Sequence, residues 1–205
     1  MSRVAVAGLG AVLLGCSVLL GVLVHDAPPA LDATVTRAAL EHRTRPLVVV
    51  SSWISFVLSP GSALIAVLAL GVRTVLARDA LLLRCTVLFG LCWSTLLARY
   101  CYQRVRPVDF PKWSYPSGHV TAVTSAAFTA VVLCAWLARR WLRAAVALAV
   151  TAVALTAASR VVLQMHWPTD TAGAVLGVTG AGLLASAALG LLPHGRSLGV
   201  RDDRF

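Results

Sequence analysis

Apolar positions run along the chain in long unbroken stretches, with little sign of the one-sided spacing that marks a surface helix or a half-buried strand. Residues 4–24, 46–72 and 171–193 contain no Asp, Glu, Lys or Arg, and 113–138 and 144–159 are equally free of them. A helix needs about 20 such residues to cross the hydrocarbon core of a bilayer. A further stretch, 81–102, spans if Arg84 and Arg99 sit at its two ends and extend their guanidiniums toward water. The pattern predicts six membrane helices at about 4–24, 55–77, 81–102, 117–138, 142–163 and 168–192. The expected fold class is all-α, a polytopic membrane bundle forming one domain over 1–205, with 194–205 as a short cytoplasmic tail.

Breaks between these runs are brief. The polar stretch from His25 to Arg45 carries Pro28-Pro29 and predicts a short interfacial helix from Leu31 to Arg43. The uncharged run from Pro46 is too long for one untilted crossing, and Ser59-Pro60-Gly61 inside it predicts a kink or a short helix feeding a span. The shape of 25–60 stays open at this stage.

Composition sharpens the picture. The chain is 59% hydrophobic and 13% charged, with a mean hydropathy of +0.83, which excludes an ordinary soluble domain. The net charge of +10 raises nucleic acid as a partner, but the cations lie in short loops between apolar spans and form no block on a soluble module. No nucleic-acid partner is expected. Arg3 before an apolar run resembles a secretory signal, yet that run is about twice the length of many cleavable ones and reads as a retained span. Cys16, Cys85, Cys92, Cys101 and Cys134 show no metal-binding spacing.

An inside N-terminus puts ten of the 18 Lys and Arg residues on the cytoplasmic side. Of the eight outside, Arg99, Arg106 and Arg160 belong to clusters with another use, which leaves five uncommitted outer charges. Both termini are therefore expected inside the cell membrane's cytoplasmic face.

Three clusters carry candidate chemistry: Arg99-x6-Arg106-Pro107 after the third span, Pro116-Ser117-Gly118-His119 opening the fourth, and Ser159-Arg160-x5-His166-x3-Asp170 joining the fifth to the sixth. Two crossings separate the second cluster from the third, so all three reach the same membrane face. Taken singly, each has an ordinary explanation: interfacial arginine anchors, a Ser117 cap, a His166-Trp167 belt pair, an Asp170 cap. Their coincidence on one face of a chain sparing with charge has none.

The residue types suit phosphoryl transfer. Three guanidiniums clamp phosphate oxygens while keeping their charge. Free N–H groups at Ser117 and Gly118 add anion-binding donors, the glycine permitting close approach. His166 and Asp170, four apart, share a face if the turn is helical; the carboxylate then takes the Nδ1 proton and offers Nε2 as a nucleophile. His119, from another helix, is placed to protonate a leaving oxygen.

These motifs resemble the signature of the type 2 phosphatidic acid phosphatase (PAP2) superfamily: Lys-x6-Arg-Pro, Pro-Ser-Gly-His and Ser-Arg-x5-His-x3-Asp. The resemblance extends to the six-span layout and implies a metal-independent membrane lipid phosphatase without cofactors. It implies His166 as the nucleophile that becomes phosphohistidine, Asp170 as its orienting acid, His119 as the acid on the leaving group, and Arg99, Arg106, Arg160, Ser117 and Gly118 as phosphate holders. Arg99 departs from the pattern, standing where lysine is usual. A polyprenyl mono- or diphosphate, phosphatidylglycerophosphate and phosphatidic acid are all candidate substrates, with membrane lipids as the surrounding partners. An outer site favours the polyprenyl carrier. Three other readings stand beside this one: a non-catalytic protein binding or transporting an anionic lipid through the same arginines; a vanadate-dependent haloperoxidase, a soluble class at odds with six apolar spans; and a degenerate, purely structural member, against which every proposed catalytic side chain is present.

Overall fold

The computed structural model describes residues 2–110 and 112–192, so the expected tail at 194–205 lies outside the described residues. All regular structure among the described residues is helical. Helix α1 (Arg3–Val24) leads into α2 (Ala30–Glu41), α3 (Arg45–Val57) and α4 (Pro60–Ala77). Helix α5 (Ala80–Ser94) continues through a 3₁₀ turn into the short α6 (Arg99–Tyr102), and α7 (Gly118–Leu137), α8 (Leu142–Val162) and α9 (Pro168–Ala188) complete the chain. Six segments are long and apolar enough to cross a bilayer: 3–24, 45–77, 80–102, 118–137, 139–162 and 168–188. The sixth helix ends at Ala188, four residues before the expected boundary, because the backbone leaves the helix at Leu189 and reaches a positive φ of 67° at Gly190.

The break at residues 58–59 is chemical. Pro60 cannot donate an amide hydrogen into a continuing helix, so the chain restarts there with Pro60 in the first turn and Ser59 as cap, its side chain accepting from the Ser62 N–H. The 45–77 segment is thus α3 feeding α4, as the Ser-Pro-Gly sequence predicts. The interfacial helix predicted at 31–43 is α2, set one or two residues earlier.

Lipid tails supply no hydrophobic drive for helices to meet, so close packing does that work. The tightest seam joins α1 to α9, where small residues face one another. A Cβ added at Gly180 would lie 2.5 Å from the Leu14 backbone nitrogen, and one added at Gly10 would lie 2.9 Å from the Gly180 carbonyl. Tyr115 wedges into the end of this seam nearest the motifs: its hydroxyl donates to the Ser17 carbonyl, and Ser17 donates to the Gly173 carbonyl at 2.8 Å. Next to it, α5 packs on both α7 and α9, burying Cys85, Leu88 and Cys92 against Val178. These contacts fix α7 and α9, the two helices whose first turns hold the second motif and the end of the third.

Candidate active site

Helix α8 ends in a tight turn. Gln164 adopts a left-handed conformation with φ 58°, and the Met165 N–H returns to the Arg160 carbonyl at 3.0 Å. His166 follows this turn, just ahead of α9, with Trp167 at the cap position and Pro168 as the first helical residue. Asp170 lies in the first turn and accepts the Trp167 N–H through Oδ2 at 2.8 Å. Its structural role as a cap and its contact with His166 therefore coexist. His166 Nδ1 stands 3.5 Å from Asp170 Oδ2, longer than a formed hydrogen bond. Both side chains are almost fully buried, at 1% and 0% exposure.

The three motifs meet through named contacts. The Ser117 N–H donates to the Asp170 carbonyl at 3.1 Å, joining the second motif to the third. Arg106 joins the first motif to the third by donating through Nη1 to the Met165 carbonyl at 3.0 Å. Arg99 closes the triangle, its Nη2 3.5 Å from the Pro116 carbonyl oxygen and 3.2 Å from where a Gly118 Cβ would stand. A side chain at 118 would press on that guanidinium. His119, on α7, lies within electrostatic reach of Arg160, His166 and Arg106.

The arginines differ in how much donor capacity the protein uses. Arg106 donates through Nε to Lys112 and through Nη2 to Trp113 as well, so all three nitrogens hold backbone carbonyls and the guanidinium organises the 103–117 loop. Arg160 donates to Ser55 of α3 at 2.6 Å while its Nε is buried without a protein partner; Arg99 Nε and Ser117 Oγ are buried in the same condition. Ser117 occupies the cap position of α7 but makes no side-chain cap bond, so the cap expected of its hydroxyl is not formed. Buried donors gathered around a helix N-terminus suit a multivalent anion. Burial and the Arg99 charge lower the proton affinity of Arg106, while Asp170 opposes them; an anion in this crowd of cations would relieve their repulsion.

Electrostatics keep His166 a free base. Burial pushes its pKa down to about 4, Asp170 acts in the opposite direction, and Arg106 and Arg160 add to the fall. If a neutral imidazole attacks phosphorus, kcat/KM in the free enzyme should hold as pH falls through 6.5 and drop only near 4. A pH profile on purified protein checks this: an acid limb centred at 6.5 would contradict it.

Three residues around the site, Arg104, Asp32 and Ser55, were not singled out by the motifs. Arg104, counted among the uncommitted outer charges, is 2% exposed and lies between two carboxylates, Asp170 at 2.6 Å and Asp32 of α2 at 2.7 Å. The count of uncommitted outer cations is corrected accordingly: one of the five is structural to the site. The available signal was scarcity, since the whole chain holds eight acidic residues and one of them stands in the first turn of the interfacial helix. Ser55, which holds Arg160, gave no signal within its apolar run. Among the described residues, no three His, Cys, Asp or Glu side chains are grouped as a metal site would require.

Comparison with known proteins bears on the family and the fold. The family model described as "PAP2 superfamily" matches residues 85–190, more than half of the chain and all three motifs. No curated protein matches. Among solved structures, the chain is similar to the crystal structure described as that of the first transmembrane PAP2 type phosphatidylglycerolphosphate phosphatase from Bacillus subtilis. The TM-score is 0.74 at 21% identity, covering 91% of this chain and 98% of that one. At this identity the likeness speaks for the fold. The motifs in order, their meeting at one junction and the family match together place the chain: it belongs to the PAP2 superfamily.

Proposed function

We propose that this membrane phosphatase hydrolyses a lipid phosphate or diphosphate through a phosphohistidine at His166, on the extracytoplasmic face. The observation that carries the reading is the three-way junction of Arg99 with Pro116, Ser117 with Asp170 and Arg106 with Met165. It brings a buried neutral imidazole beside donors that the protein does not itself saturate.

In the proposed first step, Nε2 of His166 attacks phosphorus while the P–O bond to the leaving group breaks. Asp170 faces Nδ1 and stabilises the positive charge that develops on the ring. Arg99, Arg160, Ser117 Oγ and the Ser117 and Gly118 amides hold the phosphoryl oxygens, and Arg106 contributes its charge from the loop that it organises. His119 donates a proton to the departing oxygen. In the second step it takes a proton from water, whose oxygen attacks phosphorus and releases His166 and inorganic phosphate.

Lipid as the substrate is supported by what lies one turn from His119. Val123 opens an apolar groove of about 380 Å³ between α3, α4, α7 and α8, lined also by Val57, Leu58, Ala63, Ala126 and Ala149. A headgroup at the arginines can leave its tail there without exposing it to water. The related structure's phosphatidylglycerolphosphate title and the outer placement favour phosphatidylglycerophosphate and polyprenyl (di)phosphates as substrates to try first, with phosphatidic acid beside them. Placing both termini inside follows from the cation distribution.

The test is phosphate release by purified protein in detergent against these lipids. Turnover of at least one of them in the presence of EDTA is expected, since the proposed chemistry draws on side chains and backbone amides alone. Loss of turnover that added divalent metal restores would refute the mechanism. Binding without turnover of any of these lipids would favour the anionic-lipid carrier.

A further inference from the structure

The proposed reaction asks Asp170 to remain an anion and to keep one oxygen toward His166, yet the structure buries this carboxylate completely. Its two oxygens are divided. Oδ2 serves the Trp167 N–H and faces His166 Nδ1, while Oδ1 receives Arg104 Nη1 at 2.6 Å. Arg104 is in turn held by Asp32, whose Oδ2 accepts from Nη2 at 2.7 Å. Asp32 is 0% exposed on a helix most of whose residues are exposed or half-buried, and its Oδ1 accepts the Thr169 N–H of α9 at 3.0 Å. The same Arg104 nitrogen that reaches Asp170 also donates to Thr169 Oγ1 at 2.7 Å. The chain of contacts runs from the interfacial helix to the nucleophile: Asp32, Arg104, Asp170, His166.

Burying two carboxylates and a guanidinium is expensive unless their geometry is used for something. A lone cap for α9 would need neither Arg104 nor Asp32, because Asp170 already caps the helix. Resting on the proposed phosphatase reaction, we infer that Asp32 and Arg104 are positioning residues: together they fix the orientation and the charge of Asp170, and thereby ready His166 for attack. Neither touches the substrate. Arg104 draws Oδ1 away from the imidazole, leaving Oδ2 to it, and balances the carboxylate's charge. Asp32 offsets part of Arg104's charge, so that the guanidinium does not take the whole field of Asp170 from His166. Helix α2 thereby becomes part of the reaction machinery.

The two substitutions shift the pH profile in opposite directions. Groups facing the Asp170–His166 pair are Arg106 from the 103–117 loop, Arg160 from α8, His119 from α7, and Tyr115. The Tyr115 phenol is pushed up to about 12 by burial and stays neutral. Against that constant background, Arg104→Gln leaves the negative charges of Asp32 and Asp170 uncompensated beside His166, so the imidazole binds its proton at higher pH. The acid limb of kcat/KM should rise by about one unit or more, and kcat should fall about 100-fold at neutral pH, a loss of Asp170 orientation that raising the pH does not recover. Asp32→Asn leaves the guanidinium to Asp170 alone, and the limb should fall by about half a unit with a smaller loss of kcat, about tenfold.

Both variants and the wild type are assayed as purified full-length protein on the best lipid phosphate from the panel above. Opposite shifts support the inference, because a contact that merely holds the fold cannot move the limb both ways. Variants that lose activity equally at every pH, or keep it in full, overturn the inference and reduce the network to a helix tie. Should Arg104→Gln fail to fold, Arg104→Lys replaces it: the retained charge should keep the wild-type limb while Asp32→Asn lowers it, and any other pair of positions overturns the inference. An inactive wild type would instead refute the phosphatase reading itself.

Discussion

A His166→Ala protein is expected to lose lipid-phosphate turnover by about three orders of magnitude or more, while still folding and still holding the lipid. The imidazole is the group assigned to bond phosphorus, and no other nucleophile at the junction stands beside an orienting carboxylate. The arginines that would grip the headgroup make no hydrogen bond to His166: Arg99 leans on Pro116, Arg106 on three carbonyls and Arg160 on Ser55. Binding and chemistry should therefore separate in this variant, with phosphate release measured against lipid retention on the same preparation. Unchanged turnover would remove the enzyme reading and leave the anionic-lipid carrier. Loss of both together would show that the ring also supports the pocket.

Gly180→Val should have the largest effect on stability, though it lies far from the chemistry. The first added carbon would meet the Leu14 backbone nitrogen at 2.5 Å and the Gly10 carbonyl oxygen at 2.7 Å. Those are backbone atoms, which cannot swing aside, so α1 and α9 must part. The expected cost is about 3 kcal/mol. For a chain of this size that lowers the midpoint of thermal unfolding in detergent by about 10 °C. Gly71→Val is the control, because nothing lies within 4 Å of a Cβ there, and it should leave the midpoint within about 2 °C. Equal midpoints for the two variants would show that the α1–α9 seam is not what fixes the bundle.

Much of this was legible in the chain because its determinants are local. Absence of charge over 20 residues is a property of a segment, so the spans could be marked without knowing what packs on them. The proline at 60 breaks its own helix. The motifs were legible for a different reason: their internal spacings are short, and counting crossings carries each to the same face. What escaped depends on pairing at a distance. Asp32 and Arg104 meet across 72 residues, Arg104 and Asp170 across 66, and Arg160 and Ser55 across 105. No periodicity records such a match. Arg104 was also hidden by its neighbours: with the motif arginine two residues on and exposed Val105 between them, it resembles one more interfacial anchor. Arg106 shows the reverse limit. Its charge fits a phosphate clamp, but only the folded loop reveals that each of its three nitrogens also holds a carbonyl, those of Lys112, Trp113 and Met165.

The central claim is that phosphorus passes through His166, and rapid-quench labelling addresses it most directly. Wild-type protein mixed with lipid carrying a labelled phosphate, and stopped within one turnover under alkaline conditions that preserve phosphoramidate bonds, should yield label on the peptide containing His166. The alcohol or lipid monophosphate should appear before inorganic phosphate. Label on any other residue, or simultaneous release of both products with no labelled peptide at any quench time, would contradict the account.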